Sequence, residues 1–217
     1  MTGNRPELGI EINNPLPGPI FEGDFNVMRS IVQCLPNNGT LVEIGSLFGK
    51  SAVYWVELFR FFKKDYKIYC LDKYAMDKET ASQFLYQGNV KKEKLNLIAP
   101  FLQGEMTHYE MTSNLLSKYS EIECVKYDLY SQTPAEFEFQ NITCVFDDSV
   151  HDNKAVTINL NNWFPLISHN GIFCGHDYNP TNFPSLVKGV TDYCNKHMLN
   201  INTFNSSTMF SIAKTHE

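Results

Sequence analysis

The sequence lacks the features that would place the chain in a membrane or mark it for secretion. It has no apolar stretch approaching the roughly 18 residues that a membrane-spanning helix requires. Residues 1–19 are polar and contain several prolines, so they do not resemble a secretion signal. These absences predict a cytoplasmic protein without a membrane partner.

Positive charge is also scarce. The chain has 18 Lys and Arg against 24 Asp and Glu, a net charge of −6 at pH 7, and no basic tract longer than Lys91-Lys92. Because nucleic-acid-binding grooves need clustered Lys and Arg to neutralise phosphates, this balance argues against a nucleic-acid partner. We expect a small-molecule substrate. The composition does not exclude a homo-oligomer.

The six cysteines include no Cys-x-x-Cys pair and no cluster with the spacing of metal ligands. Each lies in an apolar run, as Cys70 does in Ile68-Tyr-Cys70-Leu71. Such surroundings are typical of buried free thiols, which pack as small apolar side chains. A chain of this length can bury a sizeable core, so it needs no disulfides or structural metal.

Five short β-type runs alternate with helix-type patterns over residues 40–44, 67–71, 122–125, 142–146 and 171–175. Most are continuously apolar, which is typical of strands covered by helices on both faces. The alternation predicts an α/β fold built from βαβ units around a parallel sheet. A helix over 185–196, followed by strand-like segments 200–204 and 208–212, predicts a terminal hairpin.

We expect all 217 residues to form one domain. Residues 1–24 would be an N-terminal extension, stiffened between Pro15 and Pro19, and a first helix would span 24–35. The connection over 73–121 is far longer than the usual βα joint. We interpret it as a lid over the site or as an extra pair of surface helices.

The most informative segment runs from Leu41 to Ser51 and reads Leu-Val-Glu-Ile-Gly-Ser-Leu-Phe-Gly-Lys-Ser. It predicts a strand, a glycine turn and a helix whose first N–H groups face a ligand. Gly45 suits the tight turn, and Gly49 would let a ligand approach the backbone. The Gly-x-x-x-Gly spacing matches neither the Gly-x-Gly-x-x-Gly of dinucleotide sites nor the phosphate loop of NTPases.

Asp72 ends the second predicted strand, 23 residues after Gly49. A carboxylate there can accept hydrogen bonds from both hydroxyls of a ribose, and a βαβ unit imposes a spacing of about 20 residues on that contact. The two features together predict an adenosine site. Asp128, after the third strand, could contact the adenine amino group or simply cap a turn.

A second group of polar residues follows the fourth and fifth strands. Asp147, Asp148 and His151 follow the fourth, and His176 and Asp177 follow the fifth. Because the carboxyl ends of parallel strands share one crevice, we expect these side chains to converge beside the cofactor. They could bind a divalent ion, or a histidine, with an ordinary pKa near 6.5, could act as general base.

Three segments together resemble the class I S-adenosylmethionine-dependent methyltransferases. They are the glycine segment with Asp72, Asp148-x-x-His151, and Gly171-Ile-Phe-Cys-Gly-His-Asp-Tyr178. The last two look most like the small-molecule branch of that superfamily. The resemblance covers residues 25–215 and implies a Rossmann-like, doubly wound, seven-stranded sheet in three α/β/α layers, mostly parallel with a C-terminal antiparallel hairpin.

The resemblance also implies S-adenosylmethionine as cofactor and assigns residues to it. The cofactor residues would be Glu43, Gly45, Ser46, Gly49, Ser51, Asp72, Asp128 and Leu129, and the catalytic residues Asp148, His151 and His176. Related O-methyltransferases hold Mg²⁺ with carboxylates after strands four and five, which would make Asp148 and Asp177 metal ligands. His176 stands where that branch often has a second acid.

The implied activity is methylation of a hydroxyl on a small molecule or sugar. Two alternatives stay open. One is a catalytically inactive cofactor-binding or scaffold protein of the same fold. The other is an NAD-dependent oxidoreductase, since Asp72 also suits the ribose of NAD, although the dinucleotide glycine pattern is missing.

Overall fold

A computed structural model describes residues 14–87 and 92–215 and contains a seven-stranded sheet of order β3-β2-β1-β4-β5-β7-β6. The strands are β1 Asn38–Ile44, β2 Asp65–Asp72, β3 Ile122–Lys126, β4 Ile142–Asp147, β5 Ile172–Gly175, β6 Asn202–Thr203 and β7 Phe210–Ala213. β1 to β5 run parallel, while β7 is antiparallel to β5 and β6. The predicted parallel sheet and terminal hairpin are confirmed.

The described helices are α1 Glu22–Cys34, α2 Lys50–Phe61, α3 Lys78–Gln87, α4 Lys92–Leu95, α5 Ala99–Leu102, α6 His108–Leu116, α7 Asn153–Trp163 and α8 Pro184–Lys196. A single 3₁₀ turn, Pro134–Glu136, lies between β3 and β4. α1 and α2 pack on one face of the sheet, and α7 and α8 on the other. The three-layer arrangement is therefore confirmed.

The two helical layers explain why the central strands are continuously apolar. In β1, Leu41 packs into the core beneath α1 and α2, whereas Val42 and Ile44 pack beneath α7 and α8. Successive side chains of a strand point to opposite faces, so a strand covered on both faces buries every residue. Each layer also buries one tryptophan completely, Trp55 in the first and Trp163 in the second.

The long connection after β2 folds into α3 to α6 and has a small core of its own. Ala81, Leu85, Ile98 and Phe101 pack there around Phe48, which lies in the turn between β1 and α2. The connection is therefore anchored behind the turn that follows β1.

All six cysteines are free. Four are buried and Cys124 is half-buried, but Cys34 is exposed in the last turn of α1, so the prediction of burial is wrong there. An apolar run is an incomplete guide in a helix, because one side of the helix still faces solvent. Within the two described ranges, no helix combines the length and apolar character needed to cross a bilayer.

Candidate active site

A pocket of about 670 Å³ opens at the carboxyl ends of the parallel strands, within the usual size range of small-molecule sites. It lies where the strand order reverses between β1 and β4, the position at which open α/β sheets bind ligands. The predicted site residues that line it are Gly45, Ser46, Ser51, Asp72, Asp128, Leu129, Asp148, His151, His176 and Asp177. Glu43 and Gly49 are outside this lining.

The glycine turn, residues 45–49, is held against β2 by its own backbone. The Gly45 N–H donates to the Leu71 carbonyl at 2.8 Å, and the Leu47 N–H donates to Asp72 Oδ2 at 3.0 Å. Gly45 has a φ of +89°, and a Cβ there would lie 2.3 Å from the Asp148 carbonyl oxygen. Only glycine fits this crossing between the ends of β1 and β4.

Asp72 is the side chain that links the glycine turn to β2. Its Oδ2 accepts the Leu47 N–H, and its Oδ1 accepts the Tyr74 N–H at 2.7 Å. A carboxylate has about four acceptor sites, so each oxygen retains capacity for a further hydrogen bond. Asp72 is half-buried and lines the pocket. It can therefore hold the glycine turn and accept a hydrogen bond from a ligand at the same time.

The reason predicted for glycine at position 49 needs correction. Gly49 has a φ of +78° at the start of α2, and a Cβ would lie 2.6 Å from Leu116 Cδ1. Left-handed backbone and close packing against α6 therefore require the glycine, not the approach of a ligand. Its cofactor role stays a prediction from the resemblance.

Glu43 lies fully buried behind the glycine turn. Ser51, which lines the pocket, donates its hydroxyl to Glu43 Oε1 at 2.9 Å, while Oε2 has no hydrogen-bond partner among the described residues. Burial raises the pKa of Glu43 to about 8, because the charged carboxylate loses its hydration. This carboxyl is mostly protonated at neutral pH.

Asp128 and Leu129 line the pocket after β3. Asp128 Oδ1 accepts the Tyr130 N–H at 3.1 Å, and Lys73 Nζ lies 2.9 Å from Oδ2. The Lys73 ammonium holds the pKa of Asp128 below its usual value. Asp128 thus caps a turn and borders the pocket, so both roles considered from the sequence are compatible with its position.

The structure places only one of the two adjacent carboxylates after β4 on the pocket. Asp147 is buried and accepts from Ser149 Oγ at 2.6 Å and Asn159 Nδ2 at 3.0 Å. Asp148 lines the pocket together with His151. The alternation of the strand explains this, since neighbouring side chains point in opposite directions.

His151 faces two of the acids that line the pocket, Asp148 and Asp177. Its Nε2 lies 3.0 Å from Asp177 Oδ2 and 3.8 Å from Asp148 Oδ1. The nearby carboxylates of Asp148 and Asp177 raise the pKa of His151 to about 9, although burial opposes the shift. Asp177 has a φ of +58°, a backbone conformation that non-glycine residues seldom adopt and that occurs often at functional sites.

His176 is buried beside the same acids and contacts one that the sequence did not reveal. Its Nε2 lies 3.3 Å from Asp24 Oδ2, and Asp24, in the first turn of α1, is itself buried. Asp24 caps α1 by accepting the Phe21 N–H at 2.9 Å. A capping acid could have been recognised in the sequence, but its contact with β5 could not. We call Asp24, Asp148, His151, His176 and Asp177 the carboxylate–histidine cluster.

The proline-rich segment before α1 also contributes to the pocket. Residues 17–21 line it, and Lys50 Nζ holds them there by donating to the carbonyls of Gly18 at 2.6 Å and Ile20 at 2.7 Å. In contrast, Lys73 and Met76 are the pocket-lining residues from the described part of 73–121. The N-terminal segment, more than the long connection, encloses the site.

Residues 42–178, more than half of the chain, match a known family model that is described as a methyltransferase domain. The chain belongs to this methyltransferase domain family. The matched range contains the glycine turn, Asp72, His151 and both residues after β5, so the family region coincides with the pocket. No curated protein matches the chain as a sequence relative.

Solved methyltransferase structures share the fold. The O-methyltransferase NovP aligns with a TM-score of 0.64 and 14% identity, over 89% of this chain and 80% of its own. CalS11, a TDP-rhamnose 3′-O-methyltransferase, gives 0.56 and 12%, over 87% and 76%. MycE from the mycinamycin pathway, in complex with Mg and S-adenosylhomocysteine, gives 0.55 and 15%, over 88% and 49%.

Proposed function

We propose that the protein is an S-adenosylmethionine-dependent O-methyltransferase that methylates a hydroxyl of a small molecule or sugar. One observation carries the proposal. The same pocket is lined on one side by the glycine turn and Asp72, and on the other by Asp148, His151, His176 and Asp177 of the carboxylate–histidine cluster. A cofactor on the first side would present its methyl group to an acceptor on the second.

The cofactor side offers groups that suit each part of S-adenosylmethionine. Asp72 would accept from the ribose hydroxyls, and Asp128 with Leu129 would border the adenine. Gly45 and Ser46 would border the methionine part, with Ser51 and Glu43 behind them. The backbone of Gly45 and the Asp72 bond to Leu47 fix this side before any ligand binds.

The reaction would be an in-line displacement. The acceptor oxygen forms a bond to the methyl carbon, the carbon–sulfur bond breaks, and its electron pair stays on sulfur. His151 would take the hydroxyl proton on Nδ1, because Nε2 faces Asp148 and Asp177, which keep a hydrogen on that nitrogen and orient the ring. Fixing two reactants in line can contribute roughly 7–11 kcal/mol, and a general base about 10²–10⁴-fold in rate.

The charges of the pocket favour an acceptor without phosphate groups. Two lysines line the pocket, but Lys50 is bound to two backbone carbonyls and Lys73 is paired with Asp128. Exposed apolar side chains, Phe21, Tyr130 and Val150, stand at the pocket instead. A neutral acceptor with an apolar or aromatic face fits this surface better than a sugar nucleotide.

The cluster does not fit Mg²⁺, the ion that the resemblance suggested. Asp148, His151 and Asp177 could place one ligand atom each within 4.8 Å of one another. Mg²⁺, however, prefers near-octahedral oxygen ligands, and Oδ1 of Asp148 and both oxygens of Asp177 already face histidine nitrogens. We therefore derive no step through a metal ion.

The test is ligand binding by the purified protein. Saturating S-adenosylhomocysteine should raise Tm by several degrees, since a ligand that binds only the native state stabilises it, and NADH should have no effect. A response to NADH alone would favour the oxidoreductase. Binding of S-adenosylhomocysteine without methyl transfer to any hydroxylated acceptor would favour the inactive scaffold. The cytoplasmic location, single domain and homo-oligomer stay predictions, the last open to size-exclusion chromatography.

A further inference from the structure

His176 lies among three carboxylates. Its Nε2 is 3.3 Å from Asp24 Oδ2, and its Nδ1 is 3.5 Å from Asp148 Oδ1 and 3.4 Å from Asp177 Oδ1. The Nδ1 contacts are ion-pair distances without hydrogen-bond alignment to either oxygen. Carboxylate oxygens only accept, so a lone pair on either ring nitrogen would face negative charge. The surroundings therefore select the imidazolium, with a hydrogen on both nitrogens.

The contact with Asp24 is held from several elements. Asp24 Oδ1 accepts from Ser207 Oγ at 2.6 Å, in the turn between β6 and β7, and Oδ2 accepts from the Phe21 N–H. Thr208 Oγ1 lies 3.3 Å from His176 Nε2. Asp24 and His176 are thus a buried, preassembled ion pair.

The Nδ1 side of this pair faces the oxygens that a metal ion would need. An ion between Asp148 and Asp177 would lie against the N–H of His176, so two cations would compete for the same carboxylates. His151 already lies 3.0 Å from the second oxygen of Asp177. Since like charges at this distance repel strongly inside a protein, His176 and a divalent ion exclude each other.

We propose that this site works without a divalent metal ion, and that His176, anchored by Asp24, is the fixed cation that positions Asp148 and Asp177 in its place. The proposal rests on the proposed function only in taking methyl transfer as the reaction that the cluster serves. His176 acts through the two acids and is a positioning residue. Asp24 anchors His176, and through this contact α1 contributes to the site.

The first test is titration of the full-length wild-type protein with MgCl₂ and MnCl₂ in chelator-treated buffer, followed by calorimetry and thermal unfolding. We expect no saturable heat and no change in Tm beyond the effect of matched ionic strength from NaCl. Saturable binding of either metal with a Kd below about 1 mM would overturn the proposal. This measurement needs no cofactor, so a failure of S-adenosylhomocysteine binding would count against the proposed function alone.

The second test converts the site into one that could bind a metal ion. His176→Asp combined with Asp24→Asn gives a third carboxylate beside Asp148 and Asp177 and removes the acid that would lose its partner. In this variant, Mg²⁺ at ten times its Kd should raise Tm by about 3–6 °C. The matched control, His176→Asn with Asp24→Asn, removes the same cation without adding a carboxylate and should not respond.

A response of the aspartate variant, absent from the asparagine control and the wild type, supports the assignment of His176 to the position of an ion. Equal responses in all three proteins would contradict it. So would a folded aspartate variant, checked by near-UV circular dichroism, that binds no metal, because the third carboxylate would then lie outside the metal position.

Discussion

The two sides of the pocket are built in different ways. The cofactor side depends on hydrogen bonds of the backbone, such as Gly45 to Leu71 and Leu47 to Asp72, within one βαβ unit. The carboxylate–histidine cluster depends on side chains from α1 and from the loops after β4 and β5, joined by ion pairs, one of which, Asp24 to His176, spans 152 residues. We expect the first side to tolerate changes in the second, and the following experiments test that independence.

The largest expected effect is on turnover. His151→Ala removes the proposed base and should lower kcat by about 10²–10⁴-fold, measured by transfer of a labelled methyl group to an acceptor found by screening. Because His151 belongs to the cluster, S-adenosylhomocysteine affinity by calorimetry should change less than about twofold. The exposed His197 in an Ala variant is the matched control. Unchanged turnover in His151→Ala would remove this residue from the mechanism.

Asp72→Ala tests the cofactor side of the pocket, where the expected loss is in binding affinity. Two charge-assisted hydrogen bonds to a ribose contribute roughly 1.5–3 kcal/mol each, so the Kd for S-adenosylhomocysteine should rise by about 100-fold or more. Asp72→Asn keeps one acceptor oxygen and should lose less. Asp77→Ala, at an exposed residue outside the pocket, is the control and should bind normally. Equal affinity in Asp72→Ala and the wild type would contradict the ribose role.

The difference between the two sides also explains what could be predicted from the sequence. The strands, the glycine turn and Asp72 were predictable because each is encoded within one short segment, by apolar runs, a glycine pattern and a fixed spacing. The reason for Gly49 was wrong because it lies in a contact with Leu116, 67 residues away. Local pattern shows that a glycine is needed, but not what approaches it.

Asp24 could not be predicted as a site residue for the same reason. In the sequence it is an acid in the first turn of a helix, where such residues are common as caps. Its burial against His176 depends on how α1 packs on β5 and the β6–β7 turn, a contact across 152 residues. Likewise, the enclosure of the pocket by residues 17–21 depends on Lys50, whose position after a glycine turn gave no such indication.

The pH dependence of turnover probes the charge of the cluster. The pKa of His151 is raised to about 9 by Asp148 and Asp177, so most molecules carry the protonated ring at pH 7 and lack a free base. We expect kcat/KM to rise about tenfold per pH unit up to about pH 9 and then level off. His151→Gln should lose this rise. A flat wild-type profile between pH 6 and 9 would contradict a titrating base.

A smaller effect concerns the pH dependence of stability, in which Asp177, an acid with cationic partners, should differ from Glu43, which has none among the described residues. His151 and His176 hold the pKa of Asp177 well below its usual value despite burial, whereas burial raises that of Glu43 to about 8. Between pH 4.5 and 8 the native state retains a proton on Glu43 that the unfolded chain has released. The free energy of unfolding therefore falls with rising pH, by at most about 1.4 kcal/mol per unit from this group.

Glu43→Gln should remove that dependence, because the neutral amide keeps an oxygen for the Ser51 hydroxyl. Urea unfolding should show the variant gaining stability relative to the wild type between pH 5.5 and 8. Glu121→Gln is the matched control. Arg60 holds the pKa of Glu121 below its usual value, so this variant should gain nothing as pH rises. A difference between Glu43→Gln and the wild type that stays constant with pH would mean that Glu43 is ionised in the native state.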